Sequence, residues 1–391
     1  MKVVYVTLSQ IPHFGGKSTV ILSEAERIAA HDKVCIICLR PSGGYGKSNG
    51  ISKSIPVTHI DSTRPKSLLL PIKMTSEIRR VANKEGVEVV SSHDVYGALA
   101  AILAGLRKSC LLTLHSTFST DRFIMEENFD QLPLHKKTAL KLRFLIDLLV
   151  EVVCYNLVRG IICVSENELE DALRKTVSKA KVFLVRNGID TERYRPSAAK
   201  RKEVRERLGF AASEVVFLYI GRMVPKNGPF TIAQAIPYVA SRCSNSQFIF
   251  VGQGPEKKRC EDHLNQAGMM NRVRFREAQE AIRILPVADV FVSHVSSLVQ
   301  GVGLTVLEAL AEGLPVILGL DTITEKIGKC SEELMCVRKD DPEALADCMI
   351  ELAMNPRRRL ELSLAGRRMA TREFSLAKRI RMIEEIYRRL T

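Results

Sequence analysis

No low-complexity tract and no internal repeat interrupts the 391 residues, which excludes solenoids, propellers and long disordered arrays. Aromatic residues are scarce, at 6% with no tryptophan. Neither a stacking pattern nor a recognised binding module appears, so nucleic acid is not the expected partner. Long apolar runs are missing too. The best candidate, 144–164, is interrupted by Asp147, Glu151 and Arg159 and closed by Gly160, short of the roughly 20 apolar residues that a membrane span needs. The N-terminus, Met1-Lys-Val-Val-Tyr-Val-Thr-Leu8, reads as a strand, because it lacks the apolar core and cleavage site of a signal peptide. The ten cysteines are scattered rather than arranged as a disulfide framework. Cys35 and Cys38 fall in a buried strand, where positions three apart face opposite sides and cannot grip one metal; they read as core thiols in a reducing cytosol. The expectation is a soluble, cytoplasmic protein.

What is present is an ordinary globular balance of 46% hydrophobic and 26% charged residues, with 58 Lys+Arg against 44 Asp+Glu and a net charge of +14. The excess favours an anionic partner, and charge alone does not choose among a phosphate-rich ligand, a nucleic acid and an acidic membrane surface. The length favours two domains. Short apolar runs alternate with helical stretches in both halves, the pattern of an α/β protein with parallel sheets wrapped by helices. Strands are expected near 3–8, 33–39, 87–91, 110–114, 160–164 and 181–185, then near 215–220, 247–251, 272–275, 290–293, 315–318 and 334–337. Tyr194-Arg-Pro-Ser197 marks the hinge, giving domains 1–195 and 196–375. A C-terminal helix over 376–391 carries Ile380, Met382, Ile383, Ile386 and Leu390 at helical spacing, and its partner is open.

Ligands of parallel sheets bind where strand ends lead into helix starts. Ile11-Pro-His-Phe-Gly15-Gly16-Lys-Ser18 is such a loop, read either as an anion cradle or as a tight turn. Gly16-Lys-Ser18 and Gly46-Lys-Ser48 resemble the end of a P-loop, but the glycine five positions earlier is replaced by Ile11 and Pro41. The most informative segment runs from Gln300-Gly-Val-Gly303-Leu304-Thr305 to Glu308 and on to Gly313. A glycine turn opens a helix whose Gly303, Leu304 and Thr305 amides point at a diphosphate. Glu308, one turn deeper on the same face, can accept hydrogen bonds from two ribose hydroxyls, or can simply respond to the helix dipole.

This segment resembles the Glu-x7-Glu region of retaining glycosyltransferases of family four, which have the GT-B fold. Gly221-Arg-Met-Val-Pro-Lys-Asn-Gly228 is similar to the family's Gly-Arg…Lys-Gly loop, and Phe250-Val-Gly-Gln-Gly-Pro255 to its second nucleotide-domain turn. Ala288-Asp-Val-Phe-Val292, Arg186-Asn-Gly-Ile-Asp190, the Gly15-Gly16 loop and His115 also match in order, over nearly the whole chain. The resemblance implies two Rossmann-like domains facing each other across a cleft, with acceptor on the N-terminal and nucleotide sugar on the C-terminal domain. It implies that Glu308 holds the ribose, that Arg222 and Lys226 neutralise the leaving diphosphate with the Gly303–Thr305 amides, and that Gly16 and His115 reach the sugar or phosphate. No cofactor is implied, the nucleotide-diphosphate sugar being the donor substrate. No Asp-x-Asp metal motif occurs, in keeping with a family that relies on protein cations.

Two positions depart from the family. Gln300 stands where the first glutamate is usual, and Asn227 where the lysine is usual, so Lys226, about 3.8 Å along the chain, takes the lysine's role. A hexosyltransferase-type enzyme is expected, acting on a glycan or lipid-linked acceptor. The alternatives are a catalytically impaired GT-B binding protein and a GT-B epimerase. An NAD-type oxidoreductase is disfavoured because Gly252-x-Gly254 lacks the third glycine. On the helix expected over 134–158, Lys136, Lys137, Lys141 and Arg143 share an arc with Leu140, Phe144 and Leu148. That arc suits docking on an anionic membrane, peripheral on its inner face, or ordinary packing with solvated cations.

Overall fold

The computed structural model describes residues 1–11, 15–40, 55–61, 70–117, 133–294, 303–320 and 333–390. The chain divides into two units, Met1–Asn187 with Arg379–Thr391, and Gly188–Lys378. The sequence puts the boundary at Tyr194–Ser197; the contacts put it after Asn187, because the stretch that follows is held in the second unit. There Ile189 bridges to Ser375, and Arg367 donates to the carbonyls of Thr191 and Tyr194 at 3.1 Å each.

Among the described residues, the first unit carries β1 (Lys2–Gln10), β2 (Lys33–Leu39), β3 (Val57–Ile60), β4 (Val89–Ser92), β5 (Cys110–Leu114), β6 (Gly160–Cys163) and β7 (Val182–Leu184). Their order is β3-β2-β1-β4-β5-β6-β7, every pairing parallel. Helices cover both faces, so the strands are near-continuous runs of Val, Ile, Leu and Cys. β3 has no counterpart in the sequence reading. Its four residues follow Pro56 directly, and Thr58 and His59 break the apolar run by which the other strands show themselves.

The second unit carries β8 (Val215–Ile220), β9 (Ser246–Val251), β10 (Val273–Arg276), β11 (Val290–Ser293), β12 (Val316–Leu320) and β13 (Met335–Arg338). They are ordered β10-β9-β8-β11-β12-β13. Both sheets therefore reverse direction at one place, between β1 and β4 in the first unit and between β8 and β11 in the second. In sheets of this kind ligands bind at such a place, outside the carboxyl ends of the strands.

The C-terminal helix, Leu376–Leu390, finds its partner in the first unit. Ile380, Ile383, Ile386 and Tyr387 are buried, each apolar chain worth about 1.5–3 kcal/mol. Met382, expected on the same face, stays 38% exposed. The guanidinium of Arg379 pairs with Glu24 on the helix Gly16–Ile28. Cys35 and Cys38 lie on β2, half-buried and buried, and burial pushes their thiols up to about 11 and about 12.

On the helix Leu134–Leu157 the apolar members of the arc are partly covered, in line with the packing reading of that arc. Leu140, Phe144 and Leu148 are half-buried, and Arg143 pairs with Asp147 at 3.4 Å. Leu134, Leu142, Leu145, Leu149, Val153 and Leu157 are left in solvent, and the last five are spaced three or four apart as one helical face requires. No described helix is long and apolar enough to cross a membrane.

Candidate functional site

In the second unit the switch point is built from the ends of β8 and β11. β8 leads into Gly221-Arg222-Met223, and this turn lies directly against the turn after β9. Gly252, at φ 138, would put a Cβ 2.0 Å from the carbonyl oxygen of Gly221. Glycine at 252 is thus a packing requirement, which accounts for the Gly-x-Gly motif without any dinucleotide. The carbonyl of Arg222 accepts from the Tyr219 hydroxyl at 3.0 Å and from Asn227 Nδ2 at 2.8 Å. The Arg222 backbone is fixed while its side chain is exposed. Asn227, standing where the family has lysine, is a buried brace of this turn. Lys226 lies half-buried beside it in the single helical turn Pro225–Asn227.

His294 directly follows β11 and is wholly buried. Its Nε2 accepts the Asp340 N–H at 2.7 Å, and burial lowers its pKa, with Asp340 opposing, so the ring is neutral. A Cβ on Gly228 would meet its Cδ2 at 2.1 Å, and one on Gly319 its Nδ1 at 2.4 Å. One imidazole therefore locks the start of the helix Pro229–Arg242 to β12.

After β11, the helix Leu304–Ala311 begins at Gly303 with no side-chain cap and no acidic residue in its first turn. Its first amides and the positive end of its dipole are left for a ligand. Glu308 follows one turn later. Its Oε1 accepts from the Tyr194 hydroxyl at 2.9 Å, and burial raises its pKa to about 7, against the pull of Tyr194 and Arg193. Arg222 and Lys226 lie on the turn that follows β8, and Gly303, Leu304, Thr305 and Glu308 at the start and in the body of the first described helix after the adjacent strand β11. Gln300 lies outside the described residues.

In the first unit, Gly15 precedes the helix Gly16–Ile28, again with no side-chain cap. Lys17 of this turn is close enough to lower the pKa of His115, after burial and His93. The structure therefore brings Gly15, Gly16 and His115 to one end of the sheet. Asp94 ties that end together, accepting from Leu8 N at 2.6 Å, Thr7 Oγ1 at 3.0 Å and Gly97 N at 2.7 Å. His93 and Tyr194 were not among the residues singled out by sequence. His93 follows an ordinary apolar strand, and Tyr194 looked like part of a linker; neither stands in a local pattern that marks it.

Comparison with known proteins accords with this geometry. Residues 14–193 match the family described as Glycosyltransferase Family 4, and residues 214–355 that described as Glycosyl transferases group 1. A GDP-mannose-dependent monoacylated alpha-(1-6)-phosphatidylinositol monomannoside mannosyltransferase of Corynebacterium glutamicum is 25% identical over 96% of this chain and 94% of its own. A UDP-Gal:alpha-D-GlcNAc-diphosphoundecaprenol alpha-1,3-galactosyltransferase of Escherichia coli is 23% identical over 82% and 80%. Among solved structures, HepE of Anabaena in complex with UDP-glucose matches with a TM-score of 0.77 over 98% of each chain, at 16% identity. Sucrose-phosphate synthase of Thermosynechococcus elongatus matches at 0.77 over 100% and 99%, at 20% identity. These structural likenesses concern the fold, and it is GT-B.

Proposed function

This chain belongs to the family-four, group 1 glycosyltransferases, enzymes that use nucleotide-sugar donors, and we propose that it transfers the sugar with retention, without a metal ion, to a lipid-linked or glycan acceptor. The observation that carries this reading is the uncapped helix start at Gly303 with Glu308 one turn on, restrained by Tyr194. Leu304 and Thr305 amides and the Arg222 guanidinium receive the diphosphate, Lys226 assists as a point charge, and Glu308 holds the ribose. Negative charge grows on the diphosphate as the glycosidic bond breaks, so cations and amides fixed there stabilise the transition state more than the ground state. A chain with such cations and no Asp-x-Asp pair has no evident need of a divalent ion. In the first unit, His115 and the Gly15–Gly16 loop serve the sugar. Gln300, an amide, bonds a sugar hydroxyl without adding charge.

The lipid-linked acceptor is favoured by two relatives named for phosphatidylinositol and diphosphoundecaprenol substrates. It is favoured also by the exposed stripe Leu142, Leu145, Leu149 and Val153 with Lys136, Lys137 and Lys141 on the same helix, a mixture suited to an anionic bilayer.

The test incubates the purified chain with UDP- and GDP-sugars and with lipid-linked and glycan acceptors, in excess chelator, and reads the anomeric configuration of the product by NMR. Retention in chelator is expected. Inversion, or dependence on added metal, defeats the mechanism. Donor binding without turnover across the panel replaces it with the impaired binding protein.

A further inference from the structure

A line of buried polar side chains in the first unit has no part in the transfer as described so far, and it ends at His115. Arg379, on the C-terminal helix, places Nε 2.7 Å and Nη2 2.6 Å from Glu24 Oε1. Its Nη1 donates to the carbonyls of Val185 and Arg186. Glu24 turns its other oxygen, Oε2, toward His93 Nε2 at 3.9 Å. His93, directly after β4, sets its Nδ1 2.9 Å from Nε2 of His115, directly after β5. The two imidazoles meet edge to edge, their centroids 5.2 Å apart and their planes 24° from parallel, as a hydrogen bond between ring nitrogens requires. Arg379, Glu24 and His93 are 2%, 1% and 1% exposed, while His115 is half-buried, the one member of the line open to a ligand.

We propose that His93 is a positioning residue that fixes the tautomer of His115: the Glu24 carboxylate selects the His93 tautomer protonated on Nε2, His93 Nδ1 then accepts the Nε2–H of His115, and His115 presents a bare Nδ1 to a substrate hydroxyl. The inference rests on the role given above to His115.

Two neutral imidazoles joined nitrogen to nitrogen share a single proton, so one ring donates and the other accepts. Both rings are neutral here, because burial, together with the charges of Arg379 and Lys17, lowers both histidine pKa values. The direction of the shared bond is then set from the far end of the line. Burial raises the pKa of Glu24 and Arg379 opposes it. We hold Glu24 ionised, since a neutral carboxyl would leave a buried guanidinium with no countercharge. A carboxylate facing Nε2 favours a proton there, the same logic by which a buried carboxylate orients the imidazole of a hydrolase triad. Ser91 Oγ, 3.4 Å from the same nitrogen, can accept that proton as well. Tyr5 packs against His93 with ring centroids 5.4 Å apart, a contact that resists a ring flip. Residues from four elements, far apart in sequence, thus converge on one proton position.

The test reads 15N-histidine NMR spectra of the native chain without donor, with the His115 signals assigned by their loss in His115→Gln. A neutral His115 carrying its proton on Nε2 is expected. His93→Phe keeps a ring but removes the acceptor; it is expected to raise the Nδ1–H fraction of His115 and to lower kcat about tenfold, with donor KM changed less than about twofold. His93→Asn, whose carbonyl can stand in for Nδ1, is expected to recover most of kcat. Native His115 protonated on Nδ1 overturns the proposal, as does His93→Phe with the native tautomer or the native kcat. If that variant does not fold, the native spectrum decides alone. The tautomer is read without turnover, so failure to transfer sugar defeats the functional reading separately.

Discussion

The phenol of Tyr194 donates to Oε1 of Glu308 at 2.9 Å, joining residues 114 positions apart. Tyr194 is itself held from behind, its carbonyl accepting from Arg367 Nη1 at 3.1 Å, and the same nitrogen donates to the Ala311 carbonyl at the end of the Glu308 helix. One arginine therefore clamps both the donor of the hydrogen bond and the helix that carries its acceptor. The carboxylate assigned to the ribose is oriented before any ligand arrives, which lowers the ordering cost of binding.

Tyr194→Phe removes this restraint. Nucleotide-sugar affinity at neutral pH is expected to fall about threefold to tenfold, the net worth of one ordinary intramolecular hydrogen bond. The Glu308 pKa should also climb further, because the phenol now pulls it down. Isothermal calorimetry measures the first effect, and unchanged affinity would count against Glu308 as the ribose ligand.

The raised pKa of Glu308, about 7, gives binding a pH dependence of definite sign. Below about 7 the group carries a proton and accepts fewer hydrogen bonds; above it the carboxylate accepts two. Donor affinity should therefore rise between pH 6 and pH 8, with an inflection near 7 that Glu308→Gln abolishes. A nucleotide sugar is the proper ligand, since its diphosphate has no terminal phosphate to titrate. Stability runs the other way. A carboxyl whose folded pKa is raised contributes stability at low pH that is lost as pH passes about 7, and Glu312, also about 7, adds to the trend.

Arg222→Ala is expected to slow transfer about a hundredfold or more. Thermal stability should barely change, because the side chain is exposed and the turn is held through its carbonyl. A rate near that of the native chain would refute the role. Asn227→Lys, though it restores the family's residue, should weaken the fold and the activity together by removing one of those two braces; a gain in activity would show that Lys226 does not substitute for the usual lysine.

Gly228→Ala tests the packing around His294. Glycine 228 has φ 58, and an added Cβ would lie 2.1 Å from the imidazole. Strain and overpacking together should cost about 2–4 kcal/mol in urea unfolding. A loss under about 1 kcal/mol would mean that the ring can move aside.

Leu145→Glu with Leu149→Glu places charge on the exposed stripe of the helix Leu134–Leu157. Co-sedimentation with phosphatidylglycerol vesicles should be lost in this variant and should weaken in the native chain as salt rises. Equal pelleting of both proteins would remove the stripe from membrane attachment.

Legibility in the sequence followed interaction range. Parallel strands buried on both faces show themselves as apolar runs, so twelve of the thirteen described strands coincide with expected ones to within a residue or two, and β3, whose run is broken by Thr58 and His59, does not. The turns at Gly15–Gly16, Gly221–Gly228 and Gly303–Glu308 are local constellations and were visible as such. Partners distant along the chain were not. Nothing around Glu24 or Arg379 announces that they meet, and a helical face such as Leu142–Val153 shows its periodicity without saying which side is covered.

Backbone propensity, apolar period and local turn chemistry act over a few residues, and by themselves they determined the α/β class, twelve of the described strands and the helix start at Gly303. Tertiary structure alone decided that the chain divides after Asn187, that the last helix returns to the first unit, that Asn227 braces a turn instead of meeting a phosphate, and that His115 ends a line of buried partners. Desolvation and side-chain pairing depend on what surrounds a group in space, and for Glu24, His93, Tyr194 and Arg379 those surroundings come from residues scattered over the length of the chain.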